Sequence, residues 1–366
     1  MRLLITTDTV GGVWRFSQEL TRGLLDAGCA VAMVSFGRQP SASQLSECQA
    51  LTHQWSEQFR FISTDIPLEW MQENWRSFDE GAPLLEKTIR EFGAELLHTN
   101  QFCFGAVQIG IPTVVTAHSD VLSWGRACRS GDMEDSEWLR RYRKLVQRGL
   151  DRADALTAPT VWMLQALGEG FSLPSEKRVI PNGRTLPAPG KRVRRLQAVT
   201  TGRLWDEAKD VALLEQVRSP MPLVLAGDTE YDGVRSGMMT GVSLLGQLNE
   251  EEIVRLFEES TAYVCTSRYE PFGLAPLEAA LCGCAVVARR IDSLREVWGE
   301  DALYFGNAEE LSQILTRLYV DAAMRADMQE RAYKRARRYS RERMTKHYLE
   351  LFTMVTTRTR EAAGVA

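Results

Sequence analysis

The stretch Arg268 to Ala288 reads RYEPFGLAPLEAALCGCAVVA and sets two carboxylates, Glu270 and Glu278, on either side of a Pro-Phe-Gly-Leu-Ala-Pro segment. A carboxylate accepts two hydrogen bonds at once, which suits a vicinal diol such as the ribose hydroxyls of a nucleotide or two adjacent hydroxyls of a hexose. Within Phe272-Gly273-Leu274 the glycine lets backbone approach a ligand closely, and Pro276 suits the first turn of the helix that follows. A helix start presents N–H groups without intrahelical partners and the positive end of the macrodipole, and both favour a phosphate. Leu277, Ala280 and Leu281 supply that helix with a buried face. Glu278 then belongs to its first turns, beside the phosphate, so the two acids need not form a general acid/base pair. Capping or solvation of the helix is the alternative, against which the glycine, both prolines and the strand-loop-helix context weigh.

A second constellation is TTGRLWDEAKD, which follows an apolar strand and offers Arg203 and Lys209. An arginine fork and a lysine point charge at one sheet edge could neutralise a diphosphate and stabilise the charge that develops as it leaves. Taken alone, both could be surface cations. Near the N-terminus, TTDTVGGVWRF places Gly11-Gly12 between strand and helix, where backbone can approach a phosphate. His118 closes the strand in VVTAHSD, and Asp120 beside it could orient the imidazole or sit in an acceptor pocket.

These residues must be held by sheets. Short apolar strands at RLLIT, AVAMVSF, ELLHT, PTVVTAH, ALTAP and RVIPN alternate with helical patterns through the first half, which implies parallel βαβ units. RTLPAPGKRVRR (184–195) breaks the alternation with prolines, a glycine and exposed cations and reads as a linker. The alternation restarts with LQAVTTGR, MPLVLAGD, GVSLLGQ, TAYVCTS and CAVVARR. The expected division is therefore a first domain over 1–183, a linker over 184–196 and a second domain over 197–341. The tail is helical by periodicity, with Tyr339, Met344, Tyr348, Leu351, Phe352 and Val355 forming an apolar stripe. Two such lobes would face each other across a cleft lined by the carboxyl ends of both sheets.

The 366 residues carry 44 Lys+Arg against 48 Asp+Glu, a formal net charge of -4, so an anionic ligand must be met locally and a nucleic-acid partner is disfavoured. No apolar run approaches the ~20 residues that cross a bilayer, and the expected location is cytoplasmic. The basic segments LRRYRKLVQRGLDR and 331–347 are read as solvated helix faces, with peripheral contact to the inner membrane face or to an anionic acceptor as the alternative. The seven cysteines lack paired CxxC spacing and indicate neither a disulfide framework nor a zinc site; Cys282-Gly-Cys284 reads as small, buried helix-end packing. HQWSEQFRF and LEWMQENWRSF could form aromatic walls for a glycan or lipid, and packing explains them equally well.

Together these features resemble the retaining family-4 glycosyltransferases with the GT-B fold, over nearly the whole chain. The E-x7-E block from Glu270 to Glu278 with its internal PFGL carries the resemblance most strongly. Gly11-Gly12, IPNG at 180–183, GRL…K at 202–209 and GQL at 246–248 support it. The resemblance implies two doubly wound Rossmann-like domains and a last helix (about 342–366) crossing back to the first. It implies that Glu278 binds ribose, while Glu270 and the backbone of Phe272, Gly273 and Leu274 hold the donor sugar and phosphates. Arg203 and Lys209 would bind the diphosphate, Gln247-Leu248 would meet the nucleobase, Gly11-Gly12 would approach phosphate or acceptor, and His118 would contact the sugar. The catalytic set so implied is His118, Glu270, Arg203 and Lys209, with no metal and no cofactor beyond the nucleotide sugar, UDP-glucose on family grounds.

One departure is Asp292-Ser293, where many relatives carry Gly-Gly; it could alter donor choice or be neutral. Trp205 could be cleft wall or core. The expected activity is transfer of a hexose to an acceptor hydroxyl with retention of configuration. The competing readings are a nucleotide-sugar 2-epimerase and a catalytically silent binding subunit. Acceptor, linkage and oligomeric state are open.

Overall fold

A computed structural model of the chain describes residues 1–129, 133–190, 192–231, 234, 235, 241–362 and 364. Its contacts divide it into two units, one of Met1–Arg126, Gly131–Gly183 and Arg341–Ala366, the other of Ala127–Ser130 and Arg184–Ser340.

The first unit is built on a seven-stranded parallel sheet. Its strands are β1 (Arg2–Asp8), β2 (Ala30–Phe36), β3 (Phe59–Ser63), β4 (Leu96–Thr99), β5 (Thr113–Thr116), β6 (Ala155–Ala158) and β7 (Lys177–Val179). They lie in the order β3-β2-β1-β4-β5-β6-β7. β2 is buried along its whole length, as a parallel strand covered by helices on both faces must be, which is why it reads as a continuous apolar run. The chain winds outward from β1 to β3 and then returns to the other side of β1, so the order reverses between β1 and β4. Loops that leave the carboxyl ends of two strands at such a switch point diverge and leave room for a ligand.

The second unit repeats the plan. Its strands are β8 (Arg195–Thr201), β9 (Leu223–Ala226), a short antiparallel ribbon of β10 (Glu230–Tyr231) and β11 (Val234–Arg235), β12 (Ser243–Leu244), β13 (Ser260–Cys265), β14 (Ala285–Arg289) and β15 (Leu303–Phe305). The parallel sheet runs β12-β9-β8-β13-β14-β15, with its reversal between β8 and β13. The expectation of two doubly wound α/β sheets is met. Two strands of these sheets escaped it, as did the β10–β11 ribbon: β15 is three residues long, too short to show a period, and β3 lies in a stretch read as either an aromatic wall or packing. Phe59 of β3 is buried in the core, with Trp55 and Phe61 packed against the same cluster, so these aromatics are packing. Trp70 and Trp75 are exposed.

The last helix, Arg341–Ala362, belongs to the first unit. Met344, Tyr348, Leu351, Phe352 and Val355 are buried in one cluster with Leu3, Ile5, Leu20 and Leu24. The Tyr348 hydroxyl lies 3.2 Å from both Thr116 and Thr157 at the carboxyl ends of β5 and β6. Gly23 makes the close approach feasible: a Cβ there would stand 2.0 Å from Thr345 Oγ1. The tail is not one helix, however. The preceding helix, Ala322–Ala336, ends before Tyr339, whose ring packs edge-on against Phe272 of the second unit at 5.4 Å instead of joining the stripe. Its cations are also largely engaged: Lys334 pairs with Glu330, Arg335 donates to the Val297 carbonyl, and Arg341 pairs with Glu19. Among the described residues no helix is long and apolar enough to cross a membrane.

Candidate functional site

β8 and β13 are neighbours at the reversal, so the loops that follow them emerge side by side. The loop after β8 carries Arg203 and, in a single 3-10 turn capped by Asp206, Lys209. The loop after β13 carries Glu270. Lys209 Nζ meets Glu270 Oε2 at 2.5 Å, and Ser267 Oγ lies 3.3 Å from the same oxygen. Burial opposes the lysine charge, but Glu270 and Cys265 outweigh it and hold the Lys209 pKa above the ordinary lysine value. Arg203 pairs with Asp206 at 2.8 Å, and its guanidinium lies 5.6 Å from the Trp205 ring centroid. The two cations expected to meet a diphosphate thus stand on one loop, each held by an acid.

The helix Leu274–Leu281 begins directly after this pair. Gly273 has φ +89°, a conformation that costs an L side chain, and a Cβ there would come within 2.8 Å of Pro276. No side chain caps this helix and no acid lies in its first turn. Its N–H groups and positive dipole end are therefore not compensated by its own side chains. Phe272 turns its ring into the core, so the loop contributes backbone there. Ser293 is fully buried and donates to the Glu270 carbonyl at 2.7 Å, so one half of the Asp292-Ser293 departure fastens the Glu270 loop.

One turn beyond Leu274, Glu278 accepts from Arg184 Nε at 2.9 Å, and Arg184 Nη2 also pairs with Glu250. Arg184 was expected as an exposed linker cation; it is 4% exposed instead. Arg194 is likewise engaged, donating to the Ser260 carbonyl at 2.7 Å and to that of Cys282. Cys282 and Cys284 are buried at the helix end, as expected. Gln247 is exposed and donates to Asp228 beyond β9, while Leu248 is half-buried; both precede the helix Glu250–Glu258. Arg203, Lys209, Glu270, Phe272, Gly273, Leu274 and Glu278 therefore gather around β8 and β13, with Gln247 and Leu248 on the loop after β12.

In the first unit, Gly11 (φ +84°) and Gly12 are exposed at the start of the helix Gly12–Asp26, which again has no side-chain cap. His118 follows β5 and bonds Asn100 Oδ1 through Nε2 at 2.8 Å. Asn100 Nδ2 donates to the Thr6 carbonyl at 2.6 Å, which fixes Oδ1 as the acceptor and puts the ring proton on Nε2. Asp120, read as either an orienting partner for His118 or part of an acceptor pocket, accepts from the Leu122 and Ser123 amides at the start of the next helix. Asn100 was missed, although it directly follows the strand pattern ELLHT at the switch point. Arg184 was missed because a linker composition hides a buried guanidinium.

Burial lowers the pKa of both His118 and His98 from 6.5 to about 3. The folded imidazoles stay neutral where unfolded ones take up protons, so their contribution to stability is present above about pH 6.5 and lost as pH falls toward 3. Unfolding of the first unit by denaturant, followed from pH 7 to pH 4, is expected to show falling stability. His118→Gln should reduce the slope by about one proton. An unchanged slope would place the imidazolium in solvent.

A groove of about 700 Å³ in the first unit, lined by Gly23, Arg341, Lys346 and Leu349 among others, contains none of these site residues.

Two doubly wound parallel sheets, each reversing its strand order once, are the arrangement of the GT-B glycosyltransferase fold. The description Glycosyltransferase Family 4 matches residues 10–186, and Glycosyl transferases group 1 matches 209–335. The chain belongs to this family-4 and group-1 glycosyltransferase family. It is 24% identical to glycogen synthase of Mycobacterium tuberculosis over 78% of this chain and 76% of that protein. It spans 15% of the Escherichia coli serotype-specific mannosyltransferase WbdA, at 29% identity over 33% of this chain. It spans 39% of the Escherichia coli O-antigen chain mannosyltransferase B, at 28% identity over 38% of this chain. In fold it is similar to sucrose-phosphate synthase of Thermosynechococcus elongatus (TM-score 0.76, 19% identity, 98% of this chain and 99% of that one). It is also similar to Anabaena HepE, solved in complex with UDP-glucose (TM-score 0.71, 18% identity, 97% and 100%).

Proposed function

We propose that this protein transfers a hexose from a nucleoside diphosphate sugar, UDP-glucose first among them, to an acceptor hydroxyl with retention of configuration. The observation that carries the reading is the Lys209–Glu270 pair set against the uncapped start of the helix Leu274–Leu281. The helix start and Lys209 receive the diphosphate, Arg203 adds a second cation, and these charges act in place of a metal ion. Glu278 takes the ribose hydroxyls and Glu270 the transferred sugar. His118, neutral and protonated on Nε2, offers Nδ1 to a sugar hydroxyl, and Gly11-Gly12 approach phosphate or acceptor through backbone.

In the reaction, the bond from the anomeric carbon to the diphosphate oxygen breaks as the bond to the acceptor oxygen forms on the same face. The acceptor's proton passes to the departing phosphate oxygen, so no side chain need serve as nucleophile. The diphosphate leaves with charge that Lys209, Arg203 and the helix dipole stabilise.

Support for UDP-glucose comes from the UDP-glucose complex of HepE. The likeness to mannosyltransferases makes GDP-mannose the second donor to try. The test is a donor-by-acceptor screen read by mass spectrometry, with the anomeric configuration of any product read by NMR. Release of nucleoside diphosphate with a retained α-linked product is expected. A changed sugar nucleotide without acceptor would favour an epimerase, and no turnover across the panel would favour a silent binding subunit.

A further inference from the structure

The proposed role of Lys209 raises a mechanical question: what keeps its loop in place once a diphosphate draws the ammonium away from Glu270? We infer that Asp210 is a positioning residue for Lys209, strapping the lysine loop to the Glu270 loop independently of the Lys209–Glu270 pair. The inference rests on the donor-site reading above.

Asp210 has φ +44°, the one non-glycine residue with positive φ among those described, a conformation that needs surrounding support to persist. That support is a set of bonds to the neighbouring loop. Arg268 grips the Asp210 carboxylate with Nε at 2.9 Å and Nη2 at 3.0 Å, and Arg289, from the end of β14, pairs with it through Nη1. A two-pronged guanidinium contact fixes direction as well as distance. The backbone is tied in parallel: the Arg268 amide donates to the Ala208 carbonyl at 2.8 Å, and Thr266 Oγ1 donates to the Lys209 carbonyl at 2.5 Å. Arg289 Nη1 also reaches the Thr266 carbonyl at 3.1 Å, closing the network on itself.

The residues before and after Lys209 are thus held by the segment 266–268, while its side chain meets Glu270 two residues further on. Ligand binding can break the side-chain pair without releasing the backbone. A cation that must meet a leaving group gains from this, because a misplacement of about 1 Å can cost a reaction about 100-fold.

The experiment compares Asp210→Gly, Asp210→Asn, Lys209→Ala and the double variant Asp210→Gly/Lys209→Ala with the wild type, using UDP-glucose or whichever donor the screen identifies. Glycine accepts positive φ and removes the carboxylate; asparagine tolerates this conformation and keeps part of the polar contact. Asp210→Gly is expected to lower kcat about 10- to 100-fold with a smaller change in donor KM, and Asp210→Asn to recover part of the loss. In the double variant the loss should not exceed that of Lys209→Ala, because the two act as one unit.

Wild-type kcat in Asp210→Gly, or losses that multiply in the double variant, would overturn the inference. If Asp210→Gly fails to fold, Asp210→Asn and its double variant with Lys209→Ala carry the same test. Full turnover in Lys209→Ala would instead sink the donor-site reading itself and with it this strap's purpose, an outcome distinct from a null effect at Asp210.

Discussion

Lys209→Ala is expected to lower kcat by about 100- to 1,000-fold while leaving the second unit folded. The size follows from what the ammonium faces in the proposed reaction. A diphosphate gains charge on its bridging oxygen as it departs, and a charge fixed beforehand stabilises that state without reorganisation. Lys209 is fixed beforehand by the 2.5 Å bond to Glu270, and its raised pKa keeps it protonated through the neutral range. Removing it also leaves Glu270 without its cation, so the donor sugar would lose an ordered partner. Lys209→Arg should recover part of kcat, since charge is kept but its position is not. Steady-state kinetics with a thermal melt for each variant is the check. Wild-type kcat in a folded Lys209→Ala protein would remove the lysine from the reaction.

Glu278→Ala is expected to act differently, raising donor KM and the dissociation constant for nucleoside diphosphate by about 10- to 100-fold with a lesser effect on kcat. Hydrogen bonds to a charged group contribute about 1.5–3 kcal/mol, and each 1.4 kcal/mol is a factor of about ten in affinity. The ribose is remote from the breaking bond, so its grip is felt in the ground state and transition state alike, which is the signature of a change in KM. Arg184 keeps Glu250 as a partner in this variant, so the buried guanidinium is not left without an acid. Glu278→Gln should fall between wild type and alanine. A fall in kcat with unchanged KM would move Glu278 from the ribose toward the reacting atoms.

The paired roles also explain what could be read from the sequence. Fully buried parallel strands such as β2 announce themselves as unbroken apolar runs, and the turn glycines mark where each run ends, so both sheets were legible. Gly273 with Pro276 showed the helix start, and the structure places it where the spacing implied. Partnerships across the fold were not legible. Lys209 and Glu270 are 61 positions apart, and Arg184 reaches Glu278 across 94, so only the folded sheet brings them together. Composition misled at Arg184, where a stretch rich in proline and cations concealed a 4% exposed guanidinium. Periodicity misled at Tyr339, because a stripe counted along the sequence cannot see the helix break at 337–340 that sends its ring to Phe272. The Asp292-Ser293 departure illustrates the remaining gap: a buried hydroxyl bonded to the Glu270 carbonyl has no signature in a linear motif.

The most direct measurement is a calorimetric titration of UDP, with GDP in parallel, into the wild-type protein, Lys209→Ala and Glu278→Ala. The expected result is one nucleotide bound per chain in the wild type and affinity reduced at least about tenfold in each folded variant. Equal affinity in all three proteins, or no binding of either nucleotide to the wild type, would contradict a donor site built on β8, β13 and the helix Leu274–Leu281.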